Sequence, residues 1–69
     1  MNDSTFYCIV NNRQHYYLGY YKNNSSSGYL YPDVSRLLSD ALKLTFKEEA
    51  ESIVHALGKK MWRIKQIVL

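Results

Sequence analysis

The strongest periodic signal in this 69-residue chain is one apolar stripe, Phe46, Ala50, Ile53, Val54 and Leu57. That spacing predicts an amphipathic helix over 46–57 with a single buried face. Its ends carry matching signals. Thr45 and Glu48 fit a capping box, Glu48, Glu49 and Glu51 favour the positive end of the helix dipole, and Gly58 fits a C-terminal cap. A helix with one apolar face must bury it against another layer, and the rest of the chain is patterned as strands. Thr5 to Val10 is aromatic and β-branched, with Phe6, Cys8 and Val10 on one face and Tyr7 and Ile9 on the other. Asn11 to Gln14 reads as a turn, and His15 to Lys22 as the returning strand of a hairpin over 5–22. Asn23 to Gly28 reads as a flexible loop. Tyr29 to Tyr31 reads as a short extended piece ending at Pro32. Asp33 then caps a short helix over 33–38, with Val34, Leu37 and Leu38 turned inward. A final strand over 61–68 places Trp62, Ile64 and Val68 on one face and Arg63 and Lys65 on the other.

The expected fold is therefore α+β: one domain with a small antiparallel sheet, formed by the N-terminal hairpin and the C-terminal strand. The main helix packs across one face of that sheet. At this size folding buries only about 60% of the surface an unfolded chain exposes. A lone cysteine, Cys8, excludes an internal disulfide, and no Cys/His cluster suggests a structural metal. Self-association is the remaining common device for a small core, so a homodimer is expected.

Chemistry is sparse. Cys8 lies among apolar neighbours, a setting for a buried thiol rather than a nucleophile. Glu51 and His55 are four apart on the helix, with Glu48 on the same side, too few ligands for a metal. Phosphate-binding glycine motifs and a nucleophile elbow are absent. The expectation is a protein that is not an enzyme and needs no cofactor. No stretch is long and apolar enough to span a bilayer, and Met1 to Ser4 lacks the basic start of a signal peptide, so a cytoplasmic protein is expected.

All seven tyrosines fall within the first 31 residues. Tyrosine couples a large apolar ring to a polar tip, as binding surfaces favour. If Leu18 faces the helix, Tyr16 and Tyr20 share that core, and Tyr17 and Tyr21 face outward with Tyr7, Tyr29 and Tyr31. These five, with the cations Arg63 and Lys65, form the expected partner surface. The net charge is +3, and Lys59, Lys60, Arg63 and Lys65 come late with no acid among them. Solvated lysines on an edge strand explain that run; an acidic partner would also fit it.

The run Tyr-Tyr-Leu-Gly-Tyr at 16–20, then Ala41 to Phe46, Lys47-Glu48-Glu49-Ala50-Glu51 and Trp62-Arg63-Ile64, resembles small proteins encoded by phages and prophages of Gram-positive bacteria. The resemblance runs from about Tyr16 onward and implies no catalytic residue. Some phage proteins of this size block bacterial defence systems, so it implies a host or phage protein as partner, such as a defence nuclease. The first functional expectation is accordingly an inhibitor or adaptor that binds protein. Two others draw on the same residues. One is a single-stranded nucleic-acid module, with tyrosines as stacking platforms. The other is a dimeric sponge holding a nucleotide between tyrosines and arginines such as Arg13 and Arg36.

Overall fold

The computed structural model describes residues 5–68. Met1 to Ser4 and Leu69 lie outside the described residues. Thr5–Asn11 forms β1, Tyr16–Asn23 forms β2, Leu30–Ser35 forms β3, Lys47–Leu57 forms α1 and Trp62–Val68 forms β4. The strands make one antiparallel sheet in the order β3-β2-β1-β4, with α1 across one face. The α+β architecture is the expected one, with one strand more than the sequence suggested.

The turn between β1 and β2 is built around Asn11. Its Oδ1 accepts hydrogen bonds from the backbone N–H of Arg13 at 2.9 Å and of His15 at 3.0 Å. The left-handed position is taken by Gln14, with φ 67°, and not by either asparagine. Beyond the turn the two strands do not stay together. They pair at Val10 and Tyr16, and then the segment Ala41–Leu44 enters between them. Leu42 donates its N–H to the Tyr17 carbonyl at 3.0 Å, while Leu44 and Tyr7 exchange both backbone hydrogen bonds at 2.8 and 2.9 Å. This wedge splays the sheet into two ribbons, β1–β4 and β2–β3.

The β1–β4 ladder runs from Thr5 opposite Val68 to Asn11 opposite Trp62. Alternation along it places Tyr7, Ile9, Ile64 and Trp62 toward α1. Ile9, Tyr17, Ala50 and Val54 form the buried centre, with Tyr7, Leu42, Leu44, Ile53, Leu57, Trp62 and Ile64 packed around it. Gly58 caps α1 as expected, at φ 116° with its N–H on the Val54 carbonyl. The opposite sheet face carries Cys8 and Val10, both fully buried. Lys65 stands opposite Cys8 and holds its ammonium 5.5 Å from the centre of the Tyr16 ring, so its stem lies across that face.

Several expectations are corrected. The proposed helix over 33–38 is instead the end of β3, followed by a single 3-10 turn at Leu38–Asp40. Pro32 is tolerated because β3 is an edge strand; pairing with β2 then outweighs the local capping preference of Asp33. The loop read over 23–28 does lie between strands, Asn23 being the last residue of β2, and it closes a second hairpin. Asn24 donates to the Tyr29 carbonyl at 2.8 Å, and Gly28, at φ 76°, donates to the Asn24 carbonyl at 2.7 Å. The capping box is not formed: the N-cap is Phe46, with no side-chain cap hydrogen bond. The wedge holds the approach through Leu44, which leaves Thr45 one residue short of the cap. Phe46 is 62% exposed and stands outside the stripe it was expected to open.

Candidate functional site, an aromatic arm

Beyond Tyr17 the β2–β3 ribbon has no further sheet partner and projects from the body. The molecule is 49 Å long but only 22 and 18 Å across. Every residue from Gly19 to Tyr31 is exposed. The large apolar side chains on this arm are Tyr20, Tyr21, Tyr29, Leu30 and Tyr31, with Tyr29 at 73% and Leu30 at 66% exposure. Lys22 is the one charged residue between Tyr20 and Tyr31.

The arm's geometry follows from Gly19 and Asn24. The register of β2 against β3 shifts between Tyr17 and Tyr21, where Gly19 adopts φ 100°. A β-carbon there would lie 3.3 Å from Cδ1 of Leu42, so the glycine also lets the wedge approach. Past the shift, Tyr21 stands opposite Pro32, Lys22 opposite Tyr31 and Asn23 opposite Leu30. At the tip, Asn24 Oδ1 accepts from the Ser26 N–H at 3.0 Å and folds the three serines into a turn.

The expected site residues separate. Tyr21, Tyr29 and Tyr31 are on the arm and exposed. Tyr17, expected outside, is 6% exposed in the core beneath α1. Tyr7, also expected outside, is half-buried against the same core. The facing of β2 is the reverse of the expected one. Tyr16 lies on the face away from α1, and Tyr20, expected in the core, is on the arm. Arg63 and Lys65 are exposed on β4, at the opposite edge of the sheet from β3. They do not join the arm tyrosines. Sequence reasoning missed Tyr20 and Leu30 as surface residues. Leu30 carried a signal, an apolar residue between two tyrosines just after the Ser-Gly turn.

Two lysines that could steer a partner are engaged within the chain. Lys65 Nζ donates to the Tyr16 hydroxyl at 3.3 Å as well as covering its ring. Lys43 Nζ donates to the carbonyls of Leu38, Ser39 and Ala41 at 3.2–3.4 Å and sits 5.9 Å from the centre of the Phe6 ring. Tyr16 and Phe6 are therefore already faced by cations on the sheet surface, which leaves little room for bases to stack there.

Burial pushes the Cys8 thiol above its ordinary value of 9.0, although Lys43 and Lys65 draw it down. The nucleophilic thiolate is thus disfavoured. Burial likewise raises the Tyr17 hydroxyl above 10.0, with Tyr21 adding to the shift. Among the described residues no three His, Cys, Asp or Glu side chains converge as a metal site would require. No helix among the described residues is long and apolar enough to cross a membrane.

Comparison of the chain with protein-family models, with curated proteins and with solved structures finds no match.

Proposed function

We propose that this chain is a non-enzymatic binding protein whose β2–β3 arm inserts into an apolar site on a partner protein. On the resemblance described above, that partner is a host protein and the activity is its inhibition or modulation. One observation carries the reading: five large apolar side chains sit on a projecting ribbon that makes no core of its own. A lone two-stranded ribbon is marginal in water; alternation puts Tyr21 and Leu30 on one of its faces and Tyr20 and Tyr31 on the other, so a site that encloses the ribbon would cover both. Each buried tyrosine is worth roughly 150–250 Å². With about half of each ring exposed, the four arm tyrosines offer on the order of 400 Å², half of what one partner gives to a standard interface. Lys22 favours a partner with an acidic rim.

The test combines photo-crosslinking with arm variants. A benzophenone amino acid at Tyr29 should give one discrete protein adduct in host extract, and the same probe at Lys47 on α1 should not. Adding Tyr21→Ser and Leu30→Ser should remove the adduct while circular dichroism stays unchanged. An adduct of equal yield from Lys47, or one indifferent to the arm variants, overturns the proposal. So does a concentration-dependent dimer that the arm variants convert to monomer, since the occupant would then be a second copy. Arm-dependent binding of short oligonucleotides that weakens steeply with salt would assign the arm to nucleic acid instead.

A further inference from the structure

β4 is an outer strand of the sheet, with β1 on one side and, among the described residues, no strand on the other. The wedge decides which of its backbone groups face the open edge. Tyr7 exchanges both of its backbone hydrogen bonds with Leu44, away from β4. Tyr7 and Gln66 are therefore a non-hydrogen-bonded pair, and the N–H and C=O of Gln66 point to the open edge. Two residues back, those of Ile64 do the same. The N–H of Trp62 is taken by the Gly58 carbonyl at 3.2 Å, which bounds the open stretch. Alongside that edge a groove of about 440 Å³ runs between the second half of α1 and β4, with Val54, Trp62 and Ile64 as its apolar floor. We infer that this edge and groove bind an extended peptide as a fifth strand, one that alternates apolar with acidic residues.

The alternation follows from the two faces of β4. A side chain on the added strand that stands beside Ile64 enters the groove, whose volume is in the range of sites that enclose small ligands. An apolar side chain suits that floor. Glu51 lines the α1 wall, so an acid there would meet a like charge. The neighbouring side chains of the added strand turn to the other face, beside Arg63 and Lys65. Val10 and Cys8 stand opposite these two cations, so no carboxylate faces them from β1. Opposite charges across a strand pair stabilise it and like charges oppose it. A second copy of β4 therefore suits the edge poorly: Lys65 is its central residue, and full antiparallel overlap sets Lys65 against Lys65. Cations on an edge strand by themselves only discourage aggregation. The groove beneath the other face of the same strand makes the edge selective, since main-chain pairing gives strand addition its affinity and side-chain pockets its specificity. This edge is at the opposite side of the sheet from β3 and the arm, so the inference stands or falls independently of the proposal above.

Trp62 is the sole tryptophan of the chain and floors the groove, so its fluorescence reports occupancy. The probe is the peptide Gly-Glu-Leu-Glu-Leu-Glu-Gly with blocked ends, which should change the emission saturably. The same peptide with lysine for glutamate should bind at least about tenfold more weakly, and raising the salt should narrow that gap. Arg63 is exposed, so Arg63→Gln should leave the circular dichroism unchanged. It should cost about threefold in affinity for the glutamate peptide and nothing for a peptide with serine in place of glutamate. On binding, the Ile64 and Gln66 amides should exchange with solvent at least about tenfold more slowly, and the Lys65 amide, already paired with β1, should change less. No saturable change with the glutamate peptide, equal affinity for the lysine peptide, an affinity untouched by Arg63→Gln, or binding that leaves the Ile64 and Gln66 amides unprotected would each overturn the inference. So would protection confined to the arm.

Discussion

Tyr17 meets Trp62 at an edge-to-face angle, with ring centres 6.0 Å apart and planes inclined by 72°. The contact joins the two splayed ribbons beneath α1. Removing a buried aromatic ring costs about 3–5 kcal/mol, as much as the whole net stability expected of a core this small. Tyr17→Ala should therefore unfold the protein, and Tyr17→Phe should retain most of its stability. Tyr21→Ala, four residues on and exposed, should stay within about 0.5 kcal/mol of the parent. Urea unfolding followed by Trp62 fluorescence measures all three. A folded Tyr17→Ala variant would contradict the core assignment.

Glycines 19 and 28 both have positive φ but differ in their surroundings. A β-carbon at Gly19 meets Leu42, and one at Gly28 meets nothing within 4 Å. Gly28→Ala should cost only the backbone strain of a left-handed position, about 1–2 kcal/mol. Gly19→Ala should cost more, because the wedge must give way as well. Parallel thermal melts decide it, and a lower melting point for Gly28→Ala would argue against the close approach at Leu42.

Lys43 fastens the 3-10 turn by its three carbonyl contacts. Replacing it with methionine keeps the stem and loses the donors, at a cost of about 1 kcal/mol. The Leu42 and Leu44 amides, which hold the wedge in place, should then exchange with solvent about fivefold faster. Unchanged exchange at both would mean that the wedge does not depend on this lysine.

The alkaline limit of stability follows from Cys8 and Tyr17. Both groups are held protonated in the fold above their ordinary values of 9.0 and 10.0. The unfolded chain gives up these protons first, so their contribution is whole below pH 9 and falls as the pH rises through the higher folded values. The urea midpoint should drop between pH 9 and 11. Cys8→Ala should flatten the first part of that fall and Tyr17→Phe the second. A midpoint level up to pH 11 in the parent would contradict both shifts.

Elements whose signals are local were legible in the sequence. The α1 stripe from Ala50 to Leu57, the Gly58 cap, the β-branched run of β1 and the alternation of Trp62 and Ile64 each depend on neighbours a few residues away. Facing was not legible. Alternation shows that Tyr17 and Tyr21 sit apart from Tyr16 and Tyr20, but it does not say which pair meets the helix, and the shift at Gly19 breaks the alternation besides. β3 was hidden because Pro32-Asp33 looks like a helix start unless β2 is already in place. The wedge at 41–44 has no local mark at all, since its partners Tyr7 and Tyr17 lie far away in sequence. Of the candidate arm, Tyr21, Tyr29 and Tyr31 were found, and Tyr20 and Leu30 were not.

The pairing of Thr5 with Val68 bears on how the chain assembles. The body closes only when the two ends of the described chain meet, the kind of distant contact that slows folding toward the millisecond-to-second range. The arm is closed by Asn24, Gly28 and Tyr29, neighbours that hairpin kinetics bring together in about 1–10 μs. The arm's closure is thus local and fast, but a lone ribbon is marginal in water, so it persists only once the slower pairing of the chain's ends has built the body at its base.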